Sequence, residues 1–176
     1  MENEELEVRK VACHTCGKLF EVVVPKDYMT GDIFFCEGCS GIKIFEFKVD
    51  GLPPIKDGAN SMWNKPEMAE RIRALRVGAK AALNGYVLKN DITLAVEIEC
   101  MGDCGDLDNF VAGICDCLQI ANTKPQFIHP SLRNDPSIDP ATVCFIEDDS
   151  KIMRIESSIN KKASKNGYLI ELYDEK

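Results

Sequence analysis

Cys13-x2-Cys16 and Cys36-x2-Cys39, with nineteen residues between the pairs, constrain this chain more than any other feature. Each short turn offers two thiolates, and four thiolates at this spacing suit one tetrahedral Zn2+. Glycines stand where tight knuckles need an unrestricted backbone: Gly17 after Cys16, and Gly38 and Gly41 around Cys39. A segment of about 40 residues buries too little apolar surface to fold alone and usually requires a metal. A structural zinc ribbon is therefore expected over residues 1–43, with Leu19 to Val24 and Ile33 to Phe35 as short strands between the knuckles. His14 reads as a bystander inside the first knuckle. An odd total of nine cysteines and an acidic start, Met1 to Glu7, argue against a secreted disulfide framework and for an intracellular protein. The other five cysteines form no second metal pattern. Cys100 and Cys104 flank a Met-Gly-Asp turn, and buried thiols are expected at Cys115, Cys117 and Cys144.

Beyond the ribbon, residues 44–176 read as one domain in the order β-loop-α-β-α-β-β, an α+β fold on a mixed sheet with two main helices. Ile44 to Val49 alternates as a strand, and Gly51-Leu52-Pro53-Pro54 stops it. Met68, Ile72, Leu75, Ala79 and Leu83 repeat at three and four, giving a helix with one buried stripe, opened near Asn64 and Pro66. Ile92 to Glu99 reads as a half-exposed strand, and Leu107, Val111, Ile114 and Leu118 as a second helix. Lys124 to Ala141 contains four prolines and is expected to be a long loop. Ile152 to Ile159 and Tyr168 to Tyr173 read as strands joined by a hairpin turn ending Asn166-Gly167. Trp63 is either a core anchor or a base-stacking wedge. No apolar run approaches the length of a membrane span.

The net charge of −8 is unevenly spread. Residues 101–150 carry nine acids and two bases, whereas six Lys/Arg lie between Lys65 and Lys89 and five between Lys151 and Lys165. Carboxylates between basic stretches suit a metal-dependent enzyme acting on a polyanion: the acids hold cations and the bases hold phosphate. Asp106 and Asp108, two residues apart at a helix start, and Asp149, beside Asp148, are candidate ligands for Mg2+ or Mn2+, which prefer carboxylate oxygen. Asp108 is equally a good helix N-cap, and Asp148-Asp149 an ordinary turn.

Gly105-Asp106-Leu107-Asp108-Asn109-Phe110, the helix ending Cys115-Asp116-Cys117-Leu118, and Glu147-Asp148-Asp149-Ser150-Lys151-Ile152 together resemble the RusA-type Holliday junction resolvases. The Gly51-Leu52-Pro53-Pro54 stretch, with Asn60 after it, is similar to that family's Pro-Pro-Ser-x-Asn segment. The resemblance runs from Ile44 to Tyr173 and leaves the ribbon outside. It implies a homodimeric endonuclease that cuts four-way DNA junctions, in recombination and repair, with Mg2+ or Mn2+ held by Asp106, Asp108 and Asp149 and with Asp148 close by. The family's lysine, one helical turn beyond the second Asp, is replaced here by Ala112, and Lys151 is read as its substitute. The Ala112-Gly113 pair also permits close packing on the helix. Arg71, Arg73, Arg76 and Lys80, with Lys161, Lys162 and Lys165, are the expected DNA contacts. Two other readings stay open: a junction-binding protein that has lost catalysis, and an interaction module whose ribbon docks on another protein.

Overall fold

The computed structural model describes residues 6–13, 16–26, 34, 36, 41–56, 61–83, 87–88, 90–121, 124–136, 138 and 146–174. The chain divides into two compact units, Met1–Ile42 and Lys43–Lys176.

In the first unit, β1 (Leu6–Ala12) and β2 (Leu19–Pro25) pair antiparallel, with Leu6 opposite Pro25 and Ala12 opposite Leu19. The first Cys pair sits in the connection between them. There the Gly17 amide donates to the Cys13 carbonyl at 2.8 Å and the Cys13 amide to the Lys18 carbonyl at 2.9 Å. Gly17 closes this turn at φ +71°, a left-handed backbone that side-chain-bearing residues adopt only at a cost. β1 carries no clear strand signal in the sequence, where Glu7, Arg9 and Lys10 interrupt the apolar positions. Of the strand expected at Ile33 to Phe35, only Phe34 lies among the described residues, and it is not in a strand.

The second unit is α+β on a mixed sheet. Its elements are β3 (Ile42–Asp50), α1 (Pro66–Leu83), β4 (Ile92–Met101), α2 (Leu107–Leu118), the one-turn α3 (Pro130–Arg133), β5 (Ile152–Asn160) and β6 (Lys162–Asp174). The sheet order is β3-β6-β4-β5, with β4 parallel to β5 and antiparallel to β6. The expected β5–β6 hairpin is thus not formed, because β4 lies between the two strands. The chain passes over the end of β4 at Lys161, whose carbonyl accepts from the Gly102 amide at 3.2 Å. The register then jumps from Met101↔Lys162 to Glu99↔Gly167, so residues 163–166 bulge from the ladder. Asn166 closes no hairpin; its side-chain oxygen accepts from the Met101 amide at 2.8 Å.

All five residues of the α1 stripe are buried, as are Phe110, Ile114, Cys117 and Leu118 of α2. Fully burying each large aliphatic chain contributes about 1.5–3 kcal/mol relative to exposure, which is what holds both helices on the sheet. β4 is more deeply placed than its alternation suggests: Ile92 to Val96 are all buried, and only from Glu97 does every second residue reach solvent. A central strand carries neighbours on both edges, and here Thr93 and Ala95 are buried together with the core-facing positions. Trp63 is a core anchor.

Close packing at Gly113 has a definite cause. A Cβ there would lie 2.1 Å from the Pro54 carbonyl oxygen, so α2 accepts the Pro53–Lys56 segment only through a missing side chain. The stretch after α2 is more ordered than its prolines suggested. Pro125 and Pro130 each open a short turn of helix, using the proline-tolerant first position. The His129 amide donates to the Trp63 carbonyl at 2.8 Å, fastening this segment to the start of α1.

Candidate functional site

Two places carry the candidate chemistry. The first is in the first unit, where the sulfurs of Cys13, Cys16 and Cys36 all lie within 4.8 Å of one another. Cys16 Sγ and Cys36 Sγ are 3.6 Å apart, and a tetrahedral Zn2+ with its usual bond lengths would set two sulfurs about 3.8 Å apart. The three thiols therefore lie close enough to hold one metal ion, in a donor set compatible with zinc. Cys39, His14 and Gly38 fall outside the described residues.

The second place is a groove between α2 and β5, bordered by Asp106, Leu107, Asp108, Val111, Ala112, Cys115, Ile155 and Ser157. Asp106, not Asp108, is the N-cap of α2; its backbone is extended (φ −98°, ψ 139°) and its carboxylate makes no capping hydrogen bond. Asp108 lies in the first turn, where its charge complements the positive end of the helix. Both side chains are exposed. The floor between them and Cys115 is apolar.

Asp149 stands at the opposite end. The Ile146 amide donates to the Leu118 carbonyl at 3.1 Å, which ties the approach to β5 to the last turn of α2. Ile152 pairs with Ile92 at the beginning of β4, whereas Asp106 follows the end of β4. With 12 residues, α2 is about 18 Å long. Asp149 is near enough to Cys115 that, after burial itself, its field is the main influence pushing that thiol up to about 11, with Asp116 adding to it. Among the described residues, Cys13, Cys16 and Cys36 form the one group of three or more metal-binding side chains within 4.8 Å of one another. Asp106, Asp108 and Asp149 are not among such a group.

Asp148 spends its carboxylate locally: it accepts from the Ser150 amide at 2.8 Å and caps a short 3-10 turn, Asp149–Lys151. The Ser150 side chain first, and then its amide, hold the Asp148 carboxyl below its ordinary value. Lys151 was expected to share a strand face with Asp149. In the 3-10 turn each residue advances about 120°, so side chains two apart diverge by about 240°. Lys151 Nζ instead approaches Asp91 at 3.3 Å, in an exposed ion pair.

The expected basic face of α1 is largely absorbed by the protein. Arg76 is fully buried, which rules it out as a surface contact. Its Nη1 donates to the Cys117 and Gln119 carbonyls, both at 2.9 Å, and its Nε to the Ile138 carbonyl at 2.9 Å. Arg73 binds Asp135 at 2.7 Å and the Ser131 carbonyl at 2.9 Å, with Glu70 also in contact. Arg71 donates to the Pro53 carbonyl at 3.1 Å. Lys80 is exposed, as are Lys161, Lys162 and Lys165; Lys161 pairs with Asp103 at 3.0 Å and thereby holds that carboxyl below its ordinary value. The structural role of Arg76 left a trace in the sequence, since it stands four residues after Ile72 and eight after Met68, on the buried stripe itself.

Cys115 and Cys117 are thiols, as expected, and Cys144 falls outside the described residues. Cys100 and Cys104, which flank the Met-Gly-Asp turn, are joined in a disulfide. No described helix is long and apolar enough to cross a membrane. No protein-family model matches the chain, and no curated protein matches it.

Proposed function

We propose that the chain is a divalent-metal-dependent endonuclease that cuts four-way DNA junctions and works as a homodimer. One observation carries this reading: carboxylates at both ends of α2 that make no ion pair among the described residues, Asp106 and Asp108 at its start and Asp149 at its finish, with the apolar groove of Val111, Ala112, Cys115 and Ile155 beside them. In the proposed homodimer two copies of this surface pack about a two-fold axis. Antiparallel packing of two grooves buries the apolar floor and brings Asp149 of the partner subunit toward Asp106 and Asp108. Three carboxylates brought together repel one another unless a cation joins them, so this arrangement makes both the assembly and the site dependent on a divalent ion. An ion held there would polarise a scissile phosphate and lower the pKa of a bound water.

The chain's own side chains supply the rest. Lys161, Lys162 and Lys165 offer exposed cations to phosphate from the crossover between β5 and β6. Lys151 remains the candidate for the charge that Ala112 lacks, because an exposed ion pair such as its contact with Asp91 is worth at most about 1 kcal/mol and yields to a phosphate. The first unit would be a zinc ribbon, with Cys39 joining Cys13, Cys16 and Cys36 around a structural Zn2+. The ribbon is also the candidate surface for a protein partner.

Ala112, bordering the groove where the resembled family has a lysine, favours a second reading: a junction-binding protein without cleavage. A synthetic four-way junction incubated with Mg2+ separates the two. Nicking by the parent, with binding but no nicking by Asp108→Asn, supports the nuclease. Binding without nicking by both supports the second reading, and absence of junction binding by the parent overturns both.

A further inference from the structure

We infer that Cys100 and Cys104 form a thiol–disulfide switch, exchanged by small-molecule thiols such as glutathione, that clasps the start of α2 to the end of β4. Cys100 is the penultimate residue of β4, fully buried, and Cys104 lies two residues before the N-cap Asp106. Their Cα atoms are 6.3 Å apart, inside the span of about 4.4–6.8 Å that a disulfide bridges. The intervening turn is set by Gly102 at φ +77°, and the chain leaves the bridge through Gly105 at φ +129°. Two left-handed glycines give this loop little intrinsic preference for one path. The loop is also tied by the Gly102 amide to the Lys161 carbonyl at 3.2 Å and by the exposed Lys161–Asp103 pair at 3.0 Å, and Cys104 packs partly buried against the core. The bridge is the covalent fastening of the segment that leads into Asp106 and α2.

Among the described residues, the other thiols of the second unit, Cys115 and Cys117, do not pair in its place. Cys115 and Cys117 stand two apart on a helix and point away from each other. Exchange starts at Cys104, the partly exposed partner. A glutathione thiolate attacks Cys104 Sγ, the protein S–S bond breaks, and its electron pair leaves on Cys100 Sγ, which takes up a proton. A second glutathione thiolate attacks the glutathione sulfur of the mixed disulfide and releases Cys104 as a thiolate, which is then protonated. Two glutathiones are oxidised to one glutathione disulfide as one protein disulfide is reduced to two thiols, and glutathione disulfide drives the reverse. Reduction frees the loop and loosens the first turn of α2, where the Phe110 amide donates to the Asp106 carbonyl at 3.2 Å.

This inference does not depend on the nuclease reading, and its test needs no activity. Full-length, zinc-loaded protein is equilibrated with an excess of glutathione disulfide or of glutathione, then examined by iodoacetamide alkylation with peptide mass analysis and by amide hydrogen exchange. The switch predicts that Cys104 is blocked in the oxidised buffer and alkylated in the reduced one. It also predicts that amides of residues 103–110 exchange about tenfold faster after reduction. Cys104→Ser, which alters a partly exposed position, should match the reduced protein in both buffers. Alkylation of Cys104 in glutathione disulfide, or equal exchange of this segment in the two buffers, overturns the proposal.

Discussion

Arg76 holds its guanidinium 5.5 Å from the ring centre of Trp63, deep in the core, while donating to the carbonyls of Cys117 and Gln119 at the end of α2. A cation at that position meets the negative end of the helix and satisfies carbonyls that have no intrahelical donor. Replacing Arg76 with Met removes its hydrogen bonds to these acceptors. The expected loss of stability is about 1–3 kcal/mol, measured by urea unfolding. A loss below about 1 kcal/mol would contradict this role.

Gly113→Ala should be as damaging as a core truncation although it adds only one methyl. The added carbon meets the Pro54 carbonyl oxygen at 2.1 Å, a backbone atom that cannot turn aside as a flexible side chain would. Separating α2 from the Pro53–Lys56 segment is expected to cost about 1–3 kcal/mol in thermal or urea unfolding. Unchanged stability would show that this contact is looser than the structure has it.

Cys36→Ser removes one of three thiols that lie within 4.8 Å of each other. The parent should carry one zinc per chain, and the variant should lose it and unfold residues 1–42 while residues 43–176 keep their structure. Elemental analysis with hydrogen exchange checks this, and retained stoichiometric zinc would refute the assignment.

Burial first, then the fields of Asp149 and Asp116, raise the Cys115 thiol to about 11. Both influences disfavour the thiolate, so its reactivity should rise only as pH approaches that value. At pH 8 iodoacetamide should modify Cys115 roughly a hundredfold more slowly than an unperturbed cysteine. A reaction midpoint near pH 8.5 would place the thiol in a different environment.

The parts of the fold written in repeated spacing were legible. The α1 stripe, the α2 stripe and the element order follow from apolar residues at three and four or at two, and the paired Cys-x2-Cys turns marked the cysteine cluster. Pairing was not legible: Asn166-Gly167 reads as a hairpin turn, but strand order is set by which edges meet in three dimensions, and β4 enters between β5 and β6. The charge of Arg76 suggests a surface contact, but its spacing from Ile72 and Met68 puts it on the buried face. The acids were found as residues but not as an arrangement. Asp106-x-Asp108 marks a helix start and Asp148-Asp149 a turn, yet nothing local states that the length of α2 separates them.

The shared-site homodimer is tested most directly by mixing two inactive variants, Asp108→Asn and Asp149→Asn, under conditions in which subunits exchange. In a mixed dimer one site would combine Asp106 and Asp108 of one subunit with the intact Asp149 of the other, and the second site would lack both altered acids. The account predicts that each variant alone fails to nick a four-way junction and that the mixture regains nicking. Active parent protein with no recovery in exchanged mixtures would contradict it.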